Sequence, residues 1–447
     1  MTKDMTTGSP LRIILLFSIP VLLGNLFQQF YNMVDTIIVG RYLGEEALAA
    51  VGSTGCLMFL VLGFANGIAQ GFGVMVSHAF GAKDFKLLRH YVALSLILTL
   101  IISLLLTIPT VTASRLLLAW MHTPENIISM ADAYIKVIFA GILLTMAYNV
   151  VSGILRGIGD SRTPLYFLIL SSVLNIILDV VLIVYTGLGT AGAAYATIIA
   201  QGVSAVLCFF YMYRKYEILR TRHEDYYLDS VGVKNMLAIG VPMALNYSIT
   251  AIGTMIMQSA VNVFGSSVVA AFTAASKVSN IATQSMPTLG TAMATYCGQN
   301  LGAGKYDRIY AGMRQGLFLC FGAAATAAAI CIFGGRFIVS WFVSNPSEEI
   351  FSSAMQYLTI ASWFFLPLAM IFLYRNALQG LDQGLIPMLS GVIELACRFG
   401  VIALIPTSTG FFGVCFADPA AWAGAGIPLF ITYLLWEHRM KQCSMAA

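Results

Sequence analysis

Long runs of hydrophobic residues alternate with short polar stretches along the whole chain. Each run matches or exceeds the length of about 20 residues that a helix needs to cross a bilayer. The pattern therefore predicts transmembrane helices. We place twelve of them, at residues 12–38, 46–76, 90–118, 130–155, 163–185, 191–213, 234–262, 268–297, 311–334, 354–379, 386–406 and 412–436.

The two halves of the chain repeat one another. Pro20 aligns with Pro242, and the segment LRGIGDSRTP (155–164) aligns with LQGLDQGLIP (378–387). Two homologous hydrophobic halves are typical of a membrane transporter whose site lies where the repeats meet. We therefore expect an all-α integral membrane fold with two homologous six-helix lobes. The N-lobe would span residues 1–213 and the C-lobe residues 234–447, joined by a cytoplasmic loop at 214–233.

Composition and charge exclude several classes of protein. Hydrophobic residues make up 59% of the chain and charged residues 10%, against about 25% charged residues in a soluble domain. Lys and Arg concentrate in the N-terminal segment, the loops after even-numbered helices and the C-terminal tail, whereas the opposite side carries only Arg41, Arg115 and Arg336. The positive-inside rule then places both termini in the cytoplasm. The net charge of +4 reflects these loops and not a nucleic-acid-binding surface.

No motif of an enzyme or of a bound cofactor is present in the sequence. The eight cysteines have no C-x-x-C spacing, and there is no Walker A sequence, zinc-binding pattern or nucleophile elbow. We therefore expect no catalytic residues and no cofactor. Without an ATP site, uphill transport would have to use an ion gradient.

Polar side chains inside the predicted helices are the candidate functional residues, because such groups are costly in lipid. In the first half they carry amide, hydroxyl and carboxylate oxygens: Asn25, Gln28, Asn32 and Asp35 on one face of helix 1, Asn149 on helix 4, Asn175 and Asp179 on helix 5, and Thr197 on helix 6. Oxygen ligands of this kind suit a proton or Na⁺. Of these residues, we expect Asn25, Gln28 and Asn32 to line the substrate cavity. A structural alternative is that Asp35 caps a kink and Asp179 bonds a neighbouring helix.

The second half does not repeat this chemistry. Its candidate cavity residues are Lys277, Asn280 and Gln284 on one face of helix 8 and Glu394 with Arg398 on helix 11. The last two are four residues apart in the favourable order for an intrahelical ion pair, so either a structural or a substrate-binding role is open. On helix 2, the spacing of Gly63, Gly67 and Gly71 predicts close packing against another helix.

Several motifs resemble the MATE family of multidrug and toxic compound extrusion transporters, and within it the bacterial DinF-like branch. They include VDTIIVGRYLG (34–44), HAFGAKD (78–84), LRGIGDSRTPLYF (155–167), LNIILD (174–179), GAAYATIIAQG (192–202) and GQNLGAGKYD (298–307). The resemblance implies two six-helix lobes around a central cavity. It also implies export of organic, often cationic, compounds in exchange for H⁺ or Na⁺.

The resemblance also assigns residues. Asp35, Asn175, Asp179 and Thr197 match the family's N-lobe cation site, a possible Na⁺ site, and Asn149 is a looser match. The acids that the NorM branch carries on helices 7 and 10 of the C-lobe are missing here.

We expect a monomeric, multi-pass protein of the bacterial inner membrane whose partners are a small organic substrate and the lipid bilayer. Two alternatives remain at this point. The first is a flippase for lipids or lipid-linked oligosaccharides from the same superfamily. The second is an intramembrane enzyme or receptor.

Overall fold

The computed structural model describes residues 4–342, 347–404 and 409–446, and within these ranges it contains helices and no strand. The helices of the first half are α1 Pro10–Leu43, α2 Glu45–Ser53, α3 Gly55–Gly81, α4 Phe85–Trp120, α5 Glu125–Ala140, α6 Ile142–Gly157, α7 Arg162–Asp179 and α8 Gly189–Lys215. Those of the second half are α9 Ser230–Asn262, α10 Ser266–Thr283, α11 Ser285–Gly302, α12 Tyr306–Phe342, α13 Glu348–Trp363, α14 Phe365–Gly380, α15 Leu385–Leu404, α16 Gly410–Val414 and α17 Ala417–Ala446. A π-helical turn, Val180–Tyr185, follows α7, and the 3₁₀ turns Glu217–Leu219 and His223–Asp225 lie between α8 and α9.

The order of these helices confirms the predicted all-α membrane fold. Every predicted transmembrane helix coincides with one observed helix or with two consecutive ones. The final two residues of the predicted segment 386–406 lie outside the described residues. Among the described residues, nine helices are long and apolar enough to cross a membrane, or up to eleven if each of two bent pairs forms one span. The predicted helix at 268–297 corresponds to α10 and α11, which are not among them because polar residues interrupt their apolar face.

Two of the predicted helices are broken in the middle. The axes of α5 and α6 differ by 47° across Gly141, and those of α13 and α14 differ by 52° across Phe364. These breaks occupy the same place in the order of helices in each half. The repeat seen in the sequence is therefore also a repeat of backbone shape.

The chain forms two compact units that are not continuous in sequence. One consists mainly of Ile19–Ser248, and the other of Met5–Ser18 with Ile249–Ala447. The predicted lobes, residues 1–213 and 234–447, differ from these units at the first helix of each half, because α1 and α9 each begin in one unit and continue into the other.

Glycines on α3 allow unusually close helix packing in the first unit. A Cβ atom placed on Gly67 would lie 2.4 Å from the Cα atom of Ala244, and one on Gly71 would lie 2.4 Å from the Cα atom of Gly240. Both distances are too short for real carbon atoms, so only glycine fits. The prediction of close packing along this face of α3 is confirmed.

Candidate cation site

Three helices of the first unit bring the predicted cation residues together. Asp35 lies on the second half of α1, while Asn175 and Asp179 lie one turn apart on α7 and are both buried. Thr197 lies in the middle of α8, which packs against α7. Because the π-helical turn begins directly after Asp179, this carboxylate lies where the regular α-helical hydrogen bonding of α7 ends.

The carboxyl groups of Asp35 and Asp179 lie close enough to share a hydrogen bond when one of them is protonated. An ionised carboxylate can only accept a hydrogen bond, so this contact requires a proton on one of the two. Two ionised carboxylates at this distance would repel each other strongly in a buried site. The pair is therefore a candidate site for one proton or one small cation.

Asn175 links this pair to α8. With its amide oxygen turned toward Thr197, it accepts hydrogen bonds from the Thr197 amide (3.2 Å) and hydroxyl (3.3 Å). In the same orientation its amide nitrogen donates to Oδ2 of Asp179 at 3.3 Å. The opposite orientation loses the Asp179 contact, so the network of partners assigns the amide.

Three further polar residues that the sequence analysis missed belong to the cluster. Tyr31 is hydrogen-bonded to Gln201, and both Tyr31 and the buried Tyr134 have Asp35 and Asp179 as electrostatic neighbours. Tyr31 precedes Asp35 by one helical turn, and Gln201 follows Thr197 by one turn. Extending each polar face by four residues would have found them, whereas Tyr134 gave no such signal.

Unpartnered oxygen atoms show what the cluster can bind. Oδ1 of Asp35, Oδ1 of Asp179 and Oε1 of Gln201 are buried and have no hydrogen-bond partner among the described residues. Buried polar atoms without a partner are rare, and oxygens of this type are ligands for hard cations such as Na⁺. Among the described residues, no group of three or more His, Cys, Asp or Glu side chains forms a transition-metal site.

The remaining first-half candidates lie outside this cluster. No hydrogen bond joins Asn149 on α6 to the carboxylate pair within the described part of the chain. On α1, Asn25 is half-buried, and Gln28 and Asn32 are exposed. The structure thus places only Asp35 of the predicted helix 1 face in the cation cluster.

Asp160 fixes the two helices that carry most of the cluster. Its Oδ1 accepts from the Thr163 amide at 3.1 Å at the start of α7, and its Oδ2 accepts from the Tyr216 hydroxyl at 2.5 Å at the end of α8. Lys215 lies 3.6 Å away. Burial acts to raise the pKa of Asp160, but hydrogen bonds from Thr163 and Tyr216 and the charge of Lys215 lower this pKa below its usual value. The carboxylate is therefore ionised at neutral pH and holds the ends of α7 and α8 together.

The second unit contains a buried network of opposite charges. Glu394 accepts from Arg375 at 2.9 Å and from Arg398 at 3.4 Å, and Arg398 also donates to Asp418 at 2.9 Å. Tyr357 donates to the other oxygen of Asp418 at 2.9 Å. The predicted pair of Glu394 and Arg398 is thus present, within a larger set that includes three residues the sequence did not indicate. Two positive and two negative charges balance one another.

The helix 8 candidates are separate from that network. Lys277 and Asn280 are exposed on α10, and Gln284 is half-buried at its end. Their predicted role in a substrate cavity stays a prediction.

Two homologous helical halves define the class as a polytopic membrane protein, and the first unit carries a candidate cation site at Asp35 and Asp179. The MatE family model matches residues 20–181 and 242–404. Two proteins of Bacillus subtilis (strain 168) are each 30% identical: the probable multidrug resistance protein YpnP, over 81% of this chain and 80% of the relative, and the probable multidrug resistance protein YoeA, over 92% and 86%. The chain belongs to the MatE, or MATE, family.

A solved structure agrees with this assignment at the level of the fold. A crystal structure of MATE in complex with MaL6 superposes with a TM-score of 0.91, covering 99% of this chain and 100% of that chain, at 24% sequence identity. This match supports the all-α membrane fold.

Proposed function

We propose that this protein is a secondary active antiporter that exports organic, often cationic, compounds in exchange for H⁺ or Na⁺. The observation that carries the proposal is the pair of Asp35 and Asp179, each of which has a buried Oδ1 atom without a hydrogen-bond partner among the described residues. Family membership supports a transport function, and the two Bacillus relatives are named as probable multidrug resistance proteins.

The proposed cycle alternates between two states of the carrier. In the outward-facing state, the pair takes up one proton or one Na⁺, while Asn175, oriented by Thr197, donates a hydrogen bond to Oδ2 of Asp179. Loading changes the charge of the pair and so the position of α1 relative to α7. Coupling requires the cation and the substrate to favour different states of the carrier, because a ligand that binds both states equally does not change the equilibrium between them.

We further propose that the protein is a monomer of the bacterial inner membrane with both termini in the cytoplasm. The distribution of Lys and Arg supports this orientation. Labelling of single cysteines placed in residues 214–230 and beside Arg115 with a membrane-impermeant reagent tests it. Only the second site should react from outside intact cells.

A flippase for pyrophosphate-linked lipids would need a strongly basic cavity. In the second unit, Arg375 and Arg398 are neutralised by Glu394 and Asp418. This pairing favours the antiporter over the flippase.

The decisive experiment measures efflux of a fluorescent organic cation from proteoliposomes under a pH gradient and, separately, under a Na⁺ gradient. We expect one gradient to drive efflux in the wild type and neither to drive it in Asp35→Asn or Asp179→Asn. Asp132→Asn is the matched control, because Asp132 is a membrane-helix carboxylate bonded to Ser114 and Lys136, away from the pair. Equal gradient-driven efflux in wild type and Asp35→Asn would refute the proposal.

A further inference from the structure

A buried histidine of helix α4, His90, contacts the segment that connects the two halves. Nδ1 of His90 lies 3.0 Å from the backbone oxygen of Asp225, and Nε2 lies 2.7 Å from Oδ1 of Asp229. The ring is buried and stacks on Tyr227 at a centroid distance of 4.0 Å and an interplanar angle of 14°. Asp229 directly precedes α9, so His90 holds the start of that helix.

Both partners of the ring are hydrogen-bond acceptors. A backbone oxygen has no proton to donate. The Asp229 carboxylate accepts from the Gly232 amide at 2.6 Å, and this bond, together with the contact to His90, lowers the pKa of Asp229 although desolvation opposes the change. Asp229 is therefore ionised at neutral pH. Each ring nitrogen must then donate, and only the doubly protonated imidazolium can donate from both.

The other charged and titratable groups around the ring are consistent with a cation there. Arg89, the preceding residue, pairs with the Asp225 carboxylate at 3.3 Å, and the Tyr91 ring lies 6.3 Å from the histidine ring. Besides the 3₁₀ turn His223–Asp225, helices α3, α5 and α6 and the 3₁₀ turn Glu217–Leu219 pack against α4. Glu217 lies in the latter turn, and His78 lies in the last turn of α3. The two acceptors directly on the ring are the Asp225 carbonyl and the Asp229 carboxylate.

We propose that His90 is a pH-sensitive latch that fastens the connecting segment Asp225–Asp229 to α4 when the imidazole is doubly protonated. A neutral ring keeps one of the two hydrogen bonds and loses the charge that pairs with Asp229. The latch is thus complete at acidic pH and weakens as the pH on that face rises. This face is the predicted cytoplasmic one.

The corresponding attachment in the other unit cannot respond to pH in the same way. There the segment before α1 is held by Lys305, which donates to the Thr6 carbonyl at 2.8 Å, and by Arg308, which donates to the Gly8 carbonyl at 2.8 Å. Lysine and arginine at a surface keep their charge throughout the physiological range. Of these two attachments, only the one before α9 should therefore respond to pH. A rise in cytoplasmic pH would loosen the start of α9 and leave the start of α1 fixed.

The latch is tested by hydrogen–deuterium exchange of the full-length protein in nanodiscs at pH 6 and pH 8, with times scaled for the intrinsic exchange rate. We expect exchange in residues 223–232 to increase about tenfold from pH 6 to pH 8, because a charge-assisted hydrogen bond is lost. In His90→Gln, exchange should be fast at both pH values. His223→Gln is the matched control, since His223 is an exposed histidine of the same segment, and it should respond like the wild type.

Two further measurements guard against a variant that does not fold. Asp229→Asn keeps an oxygen for the Gly232 amide but removes the charge, so it should reduce the pH response while the protein still unfolds at a temperature near that of wild type. Nitrogen-15 NMR of the imidazole should show both His90 nitrogens protonated at pH 6. A neutral His90 at pH 6, or an equal pH response in His90→Gln, would overturn the latch.

The consequence for transport rests on the proposed antiport function. In proteoliposomes, dye efflux by the wild type should change with pH on the face that bears residues 214–230, and His90→Gln should flatten this dependence. If no variant transports dye but exchange responds as expected, the antiporter proposal fails and the latch stands. If an ion gradient drives efflux but exchange in residues 223–232 does not change with pH, the latch is refuted and the antiporter proposal stands.

Discussion

The backbone amide of Met5 donates a hydrogen bond of 2.9 Å to the side-chain oxygen of Gln299, a residue 294 positions away in sequence. This contact begins a series that fixes the segment before α1 to the junction of α11 and α12. Arg308 donates three hydrogen bonds in this series, of 3.0 Å to the Met5 carbonyl, 2.8 Å to the Gly8 carbonyl and 3.0 Å to the side-chain oxygen of Asn300. The segment Met5–Ser18 is therefore a structural part of the second unit.

Arg308→Gln should release this segment, because glutamine cannot supply three donors in the same directions. We expect a loss of about 1.5–3 kcal/mol for the charged hydrogen bonds, seen as a lower unfolding temperature in detergent and faster exchange of residues 5–9. Arg308→Lys keeps the charge but loses the planar arrangement of donors. The unfolding temperature of Arg308→Lys should lie between those of Arg308→Gln and wild type. A lysine variant as stable as wild type would show that the positive charge alone holds the segment.

Asp160→Asn should reduce stability in a pH-dependent manner. Because the folded protein lowers the pKa of Asp160, its contribution is present above the pKa of the unfolded carboxyl, about 3.9, and is lost as pH falls through the folded value. At pH 7 and pH 5, the variant should unfold at a temperature a few degrees lower than wild type. This corresponds to a loss of about 1–2 kcal/mol in the free energy of unfolding. The difference in unfolding temperature between variant and wild type should begin to narrow below about pH 4 and disappear as the pH falls through the folded pKa.

The control for that experiment is Asp84→Asn. Asp84 caps α4 through the Leu87 amide at 2.9 Å and is exposed. Asparagine caps a helix as well as aspartate does, so stability should stay near that of wild type at each pH. A constant difference between Asp160→Asn and wild type from pH 7 to pH 3 would contradict the assignment.

Gly67→Ala should force α3 away from the segment around Ala244. The added carbon meets backbone and not a flexible side chain, so the helices must separate. Overpacking of this kind costs about 1–3 kcal/mol. Gly55→Ala on the same helix is the control, because nothing lies within 4 Å of its added carbon. It should be neutral or slightly stabilising, and equal unfolding temperatures for the two variants would disprove the close contact.

Arg398→Gln should be much more damaging than the loss of an exposed ion pair. It leaves Glu394 and Asp418 as buried carboxylates with fewer partners, at a cost of about 3–5 kcal/mol. The comparison is Arg336→Gln, which breaks the exposed pair with Glu348 and should cost about 0–1 kcal/mol. Chemical unfolding of both variants measures the difference. A small effect at Arg398 would point instead to a substrate-binding role for this charge.

The sequence predicted the helices and the cation residues for the same physical reason. An ionisable group such as Asp35 or Asp179 is conspicuous within an apolar run, and its spacing along the helix shows which residues share its face. The residues that such a group contacts on other helices cannot be predicted in this way. Asp418 and Arg375 join Glu394 and Arg398 only because α14, α15 and α17 pack together, and residue spacing contains no trace of that packing.

Two structural details also could not follow from composition. The sequence placed a boundary between the lobes in residues 214–233, yet the compact units divide within α1 and α9, since each segment before those helices is held by hydrogen bonds to residues far along the chain. The break at Phe364 precedes Pro367 by three residues, and proline cannot donate the helical hydrogen bond to the Trp363 carbonyl, a signal that the sequence analysis did not use. Long-range contacts therefore determine where the compact units divide, whereas the break has a local cause.

The matching bends at Gly141 and Phe364 bear on the history of the molecule. If the halves arose by duplication of one gene, the bend was already present in the ancestral half. One copy now has the smallest side chain at the break and the other one of the largest, yet the angles are 47° and 52°. The two halves therefore reach nearly the same curvature by different local means. One has glycine at the break, and the other has Pro367 three residues further on, which removes a helical hydrogen bond.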